Sequence, residues 1–334
     1  MRRSKPYSRT AAAAWGAAAR AAAAAALLIG VFRFRADLGE TARIAAAADG
    51  RWLGLAFAVM IAGEGLTAWK WRYLLRKAGH PVPVAAILRA SAAGVFYGLF
   101  LPGSIGGDIA RTLSLAVTAC GRAVALASVF MQRNTGLAGL LVLANAAVWI
   151  HPVALPGALN LPRAVSDLRP WFAAVTGGYL AVNCLLSARL TVSALQRVLF
   201  RLGAVAGSRP VRAIWRLHHA YIPFLRAVPV AVLFSVVSQL TDCLIAYILG
   251  RALGMSLPFT IFCIAVPSVT LLSLLPLSVG GLGIREVVYL SLLTGAGADL
   301  DAAVALGLVH FLLVFTLSVC CGGYLLLRRG GDGG

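Results

Sequence analysis

One eleven-residue motif occurs twice in this sequence, and it carries residue types that suit the binding of an anion. The first copy begins at Leu101 and the second at Leu275, an interval of 174 residues. Six positions are identical, and they are Leu101, Pro102, Ser104, Gly106, Gly107 and Arg111 in the first copy and Leu275, Pro276, Ser278, Gly280, Gly281 and Arg285 in the second. Ala, Leu, Val and Gly dominate the chain, so matched Pro, Ser and Arg residues at fixed spacing indicate an internal repeat.

Each copy of the motif predicts a break between two helical segments. Proline ends an apolar helix, and the glycine pair permits backbone angles from which a new helix can start. The first N–H groups of that helix lack partners and its dipole is positive there, so a nearby arginine completes a site for a phosphate. A plain interhelical turn is the alternative, but transporters place broken helices at corresponding positions of two halves, around the substrate.

Five further charged residues lie in or beside apolar runs and are candidates for charge balance or proton coupling. Glu64, Arg133 and Asp242 stand inside predicted spans, where ionisable groups are costly, Asp108 lies within the first motif, and Glu286 directly follows the second. Two simpler explanations stay open. Glu64 can pair with an arginine of a neighbouring helix, and Arg133 can extend to the cytoplasmic end of its helix.

The composition is that of a membrane protein. Sixty per cent of the residues are hydrophobic and only 12% are charged, against about 25% in an average soluble protein. The formal net charge of +19 fits cytoplasmic loops that face anionic lipid, and nucleic-acid binding explains it poorly in so apolar a chain. The six scattered cysteines have no metal-binding or disulfide spacing, so no metal and no cofactor are expected.

Apolar runs, prolines and arginine clusters predict an all-α polytopic membrane protein with about seven or eight transmembrane helices and two broken or re-entrant helical hairpins in a repeated arrangement. An uncleaved first helix ends near residue 32, and residues 33–51 form an external loop with a short surface helix. The spans are residues 52–75, 123–150, 171–186, 228–249, 257–275 and 302–327. Residues 81–101 form a hairpin that ends at the first motif, residues 286–293 a short helix after the second, and residues 151–170 an external loop.

The arginine-rich segment 189–226 is the clearest sign of topology. It contains seven arginines and no acid, which predicts a cytoplasmic, lipid-facing connector. The chain is then one transmembrane domain, residues 1–334, with a first half at about 52–188, this connector, and a second half at about 228–327. The aromatic and basic collar of residues 69–73 and the basic residues 76–77 and 328–329 also mark cytoplasmic helix ends, so both termini are expected in the cytoplasm.

The sequence resembles the membrane domain of lysylphosphatidylglycerol synthase/flippase proteins over roughly residues 20–327. The resemblance rests on Trp71-Arg72 with Leu74-Leu75, on both Pro-Gly motifs, on Arg133 before Gly136-Leu137, and on Arg285-Glu286. It implies an inner-membrane protein of about eight helices that takes part in lipid flipping or lipid-linked sugar pathways. The family commonly has an acid before the arginine of the third span, whereas this chain has Gln132, which predicts that an ion pair there is absent.

These observations favour a lipid flippase that moves an anionic phospholipid or a polyprenyl-phosphate-linked lipid between leaflets. Arg111 and Arg285 would hold the phosphate, with the serines and glycines of the motifs around it. The aminoacyl-transferring relatives carry a soluble catalytic domain after the membrane part, and this sequence ends at Gly334, so the resemblance favours the flippase over the synthase. A membrane enzyme of glycosyl or aminoacyl transfer, or an accessory subunit that positions a lipid-modifying enzyme, is the alternative.

Overall fold

The computed structural model is all-helical over the residues it describes, which are 37–100, 105–150, 168–187, 219–274 and 283–329, with residues 29 and 216 singly. The α-helices are α1 (Leu38–Ala46), α2 (Gly50–Lys77), α3 (Val84–Phe100), α4 (Ile105–Thr118), α5 (Arg122–Ile150), α6 (Arg169–Ser187), α7 (Val228–Ala252), α8 (Phe259–Ser273), α9 (Ile284–Gly295) and α10 (Leu300–Arg329), and a 3-10 helix (Ile222–Ala227) precedes α7. The predicted all-α class is confirmed.

Four of the described segments are long and apolar enough to cross a membrane: Gly50–Lys77, Arg122–Ile150, His219–Ala252 and Leu300–Arg328. Two shorter apolar helices, Val84–Leu99 and Phe259–Ser273, accompany them. At 1.5 Å per residue the 28-residue α2 is about 42 Å long, which exceeds the roughly 30 Å hydrocarbon core of a bilayer. The chain is therefore a multi-pass membrane protein, and the total of seven or eight crossings stays a prediction.

Several sequence predictions lie outside the described residues. They are the first helix that ends near residue 32, most of the loop 151–170, the connector 189–226 up to residue 218, the first-motif residues 101–104 and the second-motif residues 275–282. The short surface helix expected within residues 33–51 is present as α1. The Asp37 carboxylate caps it by accepting the N–H groups of Gly39 and Glu40.

The helices repeat with the same interval as the motifs. Moving the bounds of α2, α3, α4 and α5 forward by 174 residues places them on α7, α8, α9 and α10, and no helix end differs by more than five residues. Each half is thus a long helix, a helical hairpin interrupted at the motif, and a second long helix. The repeated arrangement read from eleven residues extends over four helices.

The first long helices of the two halves, α2 and α7, are equivalent and run antiparallel against each other. The N–H of Asp49, before α2, donates to the carbonyl of Ala252 at the end of α7, at 3.3 Å. Further along α2, the Nζ of Lys70 donates to the hydroxyl of Ser235 near the start of α7. Other helices also contact the opposite half in matching pairs. Helix α3 packs against α10, and their equivalents α8 and α5 pack against each other. This antiparallel pairing of equivalent helices is the geometry that an inverted repeat produces.

The two hairpins are close-packed through small residues. A Cβ added at Gly107, in the first turn of α4, would lie 2.6 Å from the carbonyl oxygen of Gly94 and 3.1 Å from the Cα of Gly98, both in α3. Only glycine permits this approach of the two backbones. Gly107 of the first motif therefore has a packing role, in addition to the anion-binding role that the sequence predicts for it.

Candidate functional site

The first half of the chain brings together three basic side chains from three helices, which we call the basic cluster: Lys70 of α2, Arg111 of α4 and Arg133 of α5. Asp108 of α4 lies among them and forms an ion pair with Arg133. Lys70 and Asp108 both lie close enough to Arg111 for a direct electrostatic interaction. With Lys70 protonated, three positive charges face one carboxylate among the described residues, so these four side chains carry two net positive charges.

Lys70 is buried between helices, with 4% of its surface exposed. Its ammonium group donates to the backbone carbonyl of Gln132 at 3.2 Å and to the hydroxyl of Ser235 at 3.0 Å. Both acceptors are neutral, and no carboxylate pairs with Lys70 among the described residues. Burying an ammonium group without an acid is costly, because the group loses its hydration and gains little Coulomb energy in return.

Arg111 lies against the α3 backbone at a glycine. A Cβ added at Gly94 would lie 2.1 Å from the Nε of Arg111, so a larger residue there would displace the Arg111 side chain from α3. The Nε atom is buried and has no hydrogen-bond partner in the described part of the chain. Asp108, three residues before Arg111, lies within electrostatic range of it but forms its ion pair with Arg133, so one carboxylate cannot neutralise both arginines. Arg111 therefore has donor capacity available for an anion.

The structure shows which acid pairs with Arg133 and what Gln132 contacts in place of the acid that the family commonly has there. Arg133 reaches an acid, and that acid lies on α4 instead of beside the arginine in sequence. Gln132 stands where the resemblance predicted that an ion pair would be absent, and its side-chain amide donates to the backbone carbonyl of Thr67 at 3.3 Å. Its Oε1 atom is buried and has no partner among the described residues. Gln132 thus links α5 to α2 beside Lys70.

The prediction of an aromatic and basic collar at residues 69–73 is wrong for Lys70 and Trp71, which are buried. Trp71 is fully buried, and its indole N–H donates to the hydroxyl of Ser128 at 3.0 Å. Lys70 is buried as well, whereas Trp69 is 55% exposed and Arg72 lies over its ring. A helix presents neighbouring residues to different faces, so a run that looks uniform in sequence is divided between core and surface.

Sequence reasoning missed Lys70, although its helix carries a signal. Gly63, Thr67 and Lys70 recur at the spacing of one helical face. That face meets a matching row on α7, since Gly63 lies against Thr241, the Thr67 hydroxyl is 3.0 Å from that of Ser238, and Lys70 donates to Ser235. A small and polar stripe inside an apolar span was the available sign that this face is buried against another helix.

The acids inside the spans are placed near each other. Glu64 follows Gly63 on α2 and Asp242 follows Thr241 on α7, and the two carboxyl groups lie within electrostatic range. Glu64 makes no ion pair with a described residue, so the predicted arginine partner on a neighbouring helix is not found there. Its Oε2 atom is buried and has no hydrogen-bond partner in the described ranges.

The second motif is described from Gly283 onward, so Ser278, Gly280 and Gly281 lie outside the described residues. Gly283 has a positive φ of 87° and caps α9. Glu286 is fully buried, and its Oε2 atom accepts the N–H of Gly283 at 2.6 Å. This hydrogen bond gives Glu286 a capping role at the start of the helix.

Arg285 occupies the position of Arg111 in the second half, and its Nε and Nη1 atoms are buried without a described partner. Its surroundings differ from those of Arg111. Tyr289 lies one turn further along α9, and its hydroxyl is 3.3 Å from Nδ1 of His310 on α10. The interval of 174 residues places Leu244 at the position of Lys70 and Gly307 at that of Arg133, so the basic cluster has no equivalent in the second half.

The predicted meeting of the two motifs near mid-membrane stays a prediction, because residues 101–104 and 275–282 lie outside the described ranges. The helices that carry Arg111 and Arg285, α4 and α9, pack against different neighbours. Helix α4 packs against α3 and α5, and α9 packs against α8 and α10.

Comparison with known proteins gives one result. A family model described as the lysylphosphatidylglycerol synthase TM region matches residues 17–322, which include both motifs, the basic cluster and all ten described helices except the end of α10. No curated protein matches the chain.

Proposed function

The chain belongs to the lysylphosphatidylglycerol synthase transmembrane-region family, and from this premise we propose that it is a lipid transporter that moves an anionic lipid between the leaflets. The substrate is an anionic phospholipid or a polyprenyl-phosphate-linked lipid, and its phosphate binds at the basic cluster. One observation carries the proposal: the buried Lys70, the half-buried Arg111 and the partly exposed Arg133 lie together, and Asp108 is the one carboxylate among them in the described part of the chain.

The charges support a phosphate in particular. Asp108 offsets Arg133, so Lys70 and Arg111 remain as donors without an acid among the described residues. An arginine fork and a lysine point charge together match a group with several anionic oxygens. A neutral substrate would leave the buried Lys70 and the half-buried Arg111 without a compensating charge among the described residues, and membrane proteins avoid such charges.

The position of the cluster supports pick-up from one leaflet. Lys70 precedes the end of α2 by seven residues, about 10 Å along the helix, and that end carries Arg76 and Lys77. By the positive-inside tendency it is the cytoplasmic end. We place the protein in the inner membrane with both termini in the cytoplasm, and we place the basic cluster where it takes lipid from the inner leaflet.

The inverted repeat supports alternating access. We divide the chain into halves at about 52–188 and 228–327 with the connector 189–226 between them, and the motif of each half contributes one arginine, Arg111 or Arg285. Inverted halves can exchange conformations, so a site open to one leaflet becomes open to the other. Glu64 and Asp242, near the middle of their helices, are the groups we assign to charge balance or proton coupling. A lipid-modifying enzyme in the same membrane is the partner that would supply or consume the lipid.

The test is reconstitution of the full chain into vesicles with fluorescent lipids of different headgroups. Arg111→Ala should abolish lipid movement while the protein stays inserted, and Arg111→Lys should restore only part of it, because lysine keeps the charge and loses the fork. Arg285→Ala applies the same test to the second half. Arg76→Ala, at an exposed position on the same side, is the matched control.

A charge-neutral control separates binding from ion pairing. Asp108→Asn combined with Arg133→Gln removes one negative and one positive charge, so Lys70 and Arg111 keep their excess charge and lipid movement should persist. Arg133→Gln alone leaves Asp108 without its partner and should lower the amount of folded protein. Movement at the wild-type rate in folded Arg111→Ala would overturn the proposal.

A further inference from the structure

Tyr289 of α9 and His310 of α10 form a titratable pair inside the second half. The Tyr289 hydroxyl lies 3.3 Å from Nδ1 of His310, and the two rings stack with their centres 6.4 Å apart. Tyr289 is fully buried. His310 stands ten residues into α10, about 15 Å along a helix that spans the membrane, so it lies away from both helix ends. An ionisable group at that depth is a functional candidate.

The contact between these two side chains is compatible with two charge states of the imidazole. A tyrosine hydroxyl donates to Nδ1 of a neutral imidazole whose proton is on Nε2, and it accepts a hydrogen bond from an imidazolium, in which both nitrogens are donors. The hydroxyl hydrogen points to His310 in the first state and away from it in the second. A proton on His310 therefore re-aims the Tyr289 hydroxyl without breaking the contact between α9 and α10.

The charged and titratable groups around His310 come from three helices. They are Arg285, Glu286 and Tyr289 of α9, Asp242 and Cys243 of α7, and Glu64 of α2, which lies within electrostatic range of Asp242. Helices α3 and α1 also pack against α10, but their charges lie elsewhere. Arg89 of α3 lines a groove with Arg328, about 27 Å further along α10. Asp37, before α1, is bonded to Asp301 near the start of α10, and the other two charges of α1 pair with each other.

Arg285 links the pair to the phosphate. It lies one turn before Tyr289 on α9, and both Tyr289 and His310 lie within electrostatic range of its guanidinium. An imidazolium and a guanidinium at this separation repel each other, because both are positive and water is largely excluded. A phosphate bound at Arg285 offsets that repulsion. The binding of an anionic lipid and the binding of a proton therefore favour each other, and this coupling is reciprocal.

We propose that His310 is a proton-binding site, and that its proton uptake is coupled to the lipid phosphate at Arg285. The inference rests on the proposed function, in which the arginine of each motif takes part in binding the phosphate. The proton comes from water and forms one N–H bond at Nδ1, and no other covalent bond changes. Tyr289 is a positioning residue that holds the ring, accepts the new N–H, and turns its own hydrogen towards Asp242. Lipid and proton then bind together in the second half.

The experiment is calorimetric titration of the full-length protein, in a neutral detergent, with a short-chain phosphatidylglycerol. Each titration is repeated at one pH in two buffers of different ionisation enthalpy, so that the difference gives the number of protons taken up with each lipid. The wild type should take up protons, and its lipid affinity should fall by up to about tenfold per pH unit as the pH rises. His310→Gln should lose up to about one proton of that uptake per lipid and should still bind lipid at the basic cluster.

Three more variants separate proton binding from packing. Arg285→Gln should lose the same uptake although His310 is intact, because the charge that couples the two sites is gone. Tyr289→Phe keeps the ring and should lower the uptake, because the protonated imidazole loses its acceptor. His80→Gln, at the histidine that follows α2, is the matched control and should take up as many protons as the wild type. Thermal unfolding in detergent selects the folded variants, and Arg285→Gln carries the test if His310→Gln does not fold.

The outcomes distinguish this inference from the proposed function. Lipid binding with equal proton uptake in the wild type and in folded His310→Gln or Arg285→Gln would overturn the inference and leave the proposed function standing. A wild type that binds phosphatidylglycerol with the same affinity at every pH would do the same. Absence of any phosphatidylglycerol binding by the wild type would overturn both.

Discussion

Replacing Lys70 with methionine removes a buried ammonium group and keeps a flexible side chain of similar length. In the structure Lys70 donates two hydrogen bonds, to the Gln132 carbonyl and the Ser235 hydroxyl. Both acceptors keep other partners in the variant, because the Ser235 hydroxyl donates to the carbonyl of Ala231 and the Gln132 carbonyl accepts the Thr135 hydroxyl. The change therefore leaves no newly orphaned acceptor.

The magnitudes separate a structural role from a binding role. Two lost hydrogen bonds from a charged donor cost about 3–6 kcal/mol of unfolding free energy, and removing the desolvation penalty of a buried ammonium returns several kcal/mol. The stability of Lys70→Met should thus change little. A hydrogen bond from a charged donor to a lipid phosphate is worth about 1.5–3 kcal/mol, so the affinity for an anionic lipid should fall by about 10- to 140-fold.

The assay combines thermal unfolding in detergent with titration of a fluorescent anionic lipid. Lys77→Met is the matched control, since Lys77 is an exposed lysine at the end of the same helix, and its affinity should equal that of the wild type. A lipid affinity of Lys70→Met equal to that of the wild type would refute the binding role. A strongly lowered unfolding temperature would refute the argument that the charge of Lys70 is uncompensated in the empty protein.

Three further predictions concern packing and capping. Gly139→Ala should destabilise the fold by about 1–3 kcal/mol, because its Cβ would lie 2.6 Å from the Ser235 side chain across the α5–α7 contact, whereas Gly177→Ala in open space should be neutral or stabilising in the same thermal unfolding measurement. Glu286→Ala should cost about 0.5–2 kcal/mol through the lost cap of α9, and unchanged stability would contradict that role. Asp301→Ala should speed hydrogen exchange in α1, because its carboxylate accepts the N–H of Asp37 and the hydroxyl of Thr41, and unchanged exchange would contradict this tie.

Local features of the sequence were sufficient for the class of protein, for most helix positions and for the repeat. Apolar runs predict helices in a membrane because lipid offers the backbone no partners, and Pro, Gly and charged residues mark where those helices end. The run predicted at residues 52–75 is the helix Gly50–Lys77, and the one predicted at 302–327 is Leu300–Arg329. The predicted interruption between residues 101 and 111 separates α3 from α4.

The tertiary structure alone decided which helical faces meet. The antiparallel pairing of α2 with α7 makes the repeat inverted, whereas the sequence left the choice between inverted and parallel arrangements open. Contact across helices also assigned Asp108 to Arg133 and placed Lys70 beside Ser235, a residue 165 positions away. A helix turns each residue by about 100° from the last, so a small error in rotation changes which side chains are buried. Long-range packing fixes that rotation, and for this reason Lys70 looked like part of a surface collar in the sequence and is a buried charge in the fold.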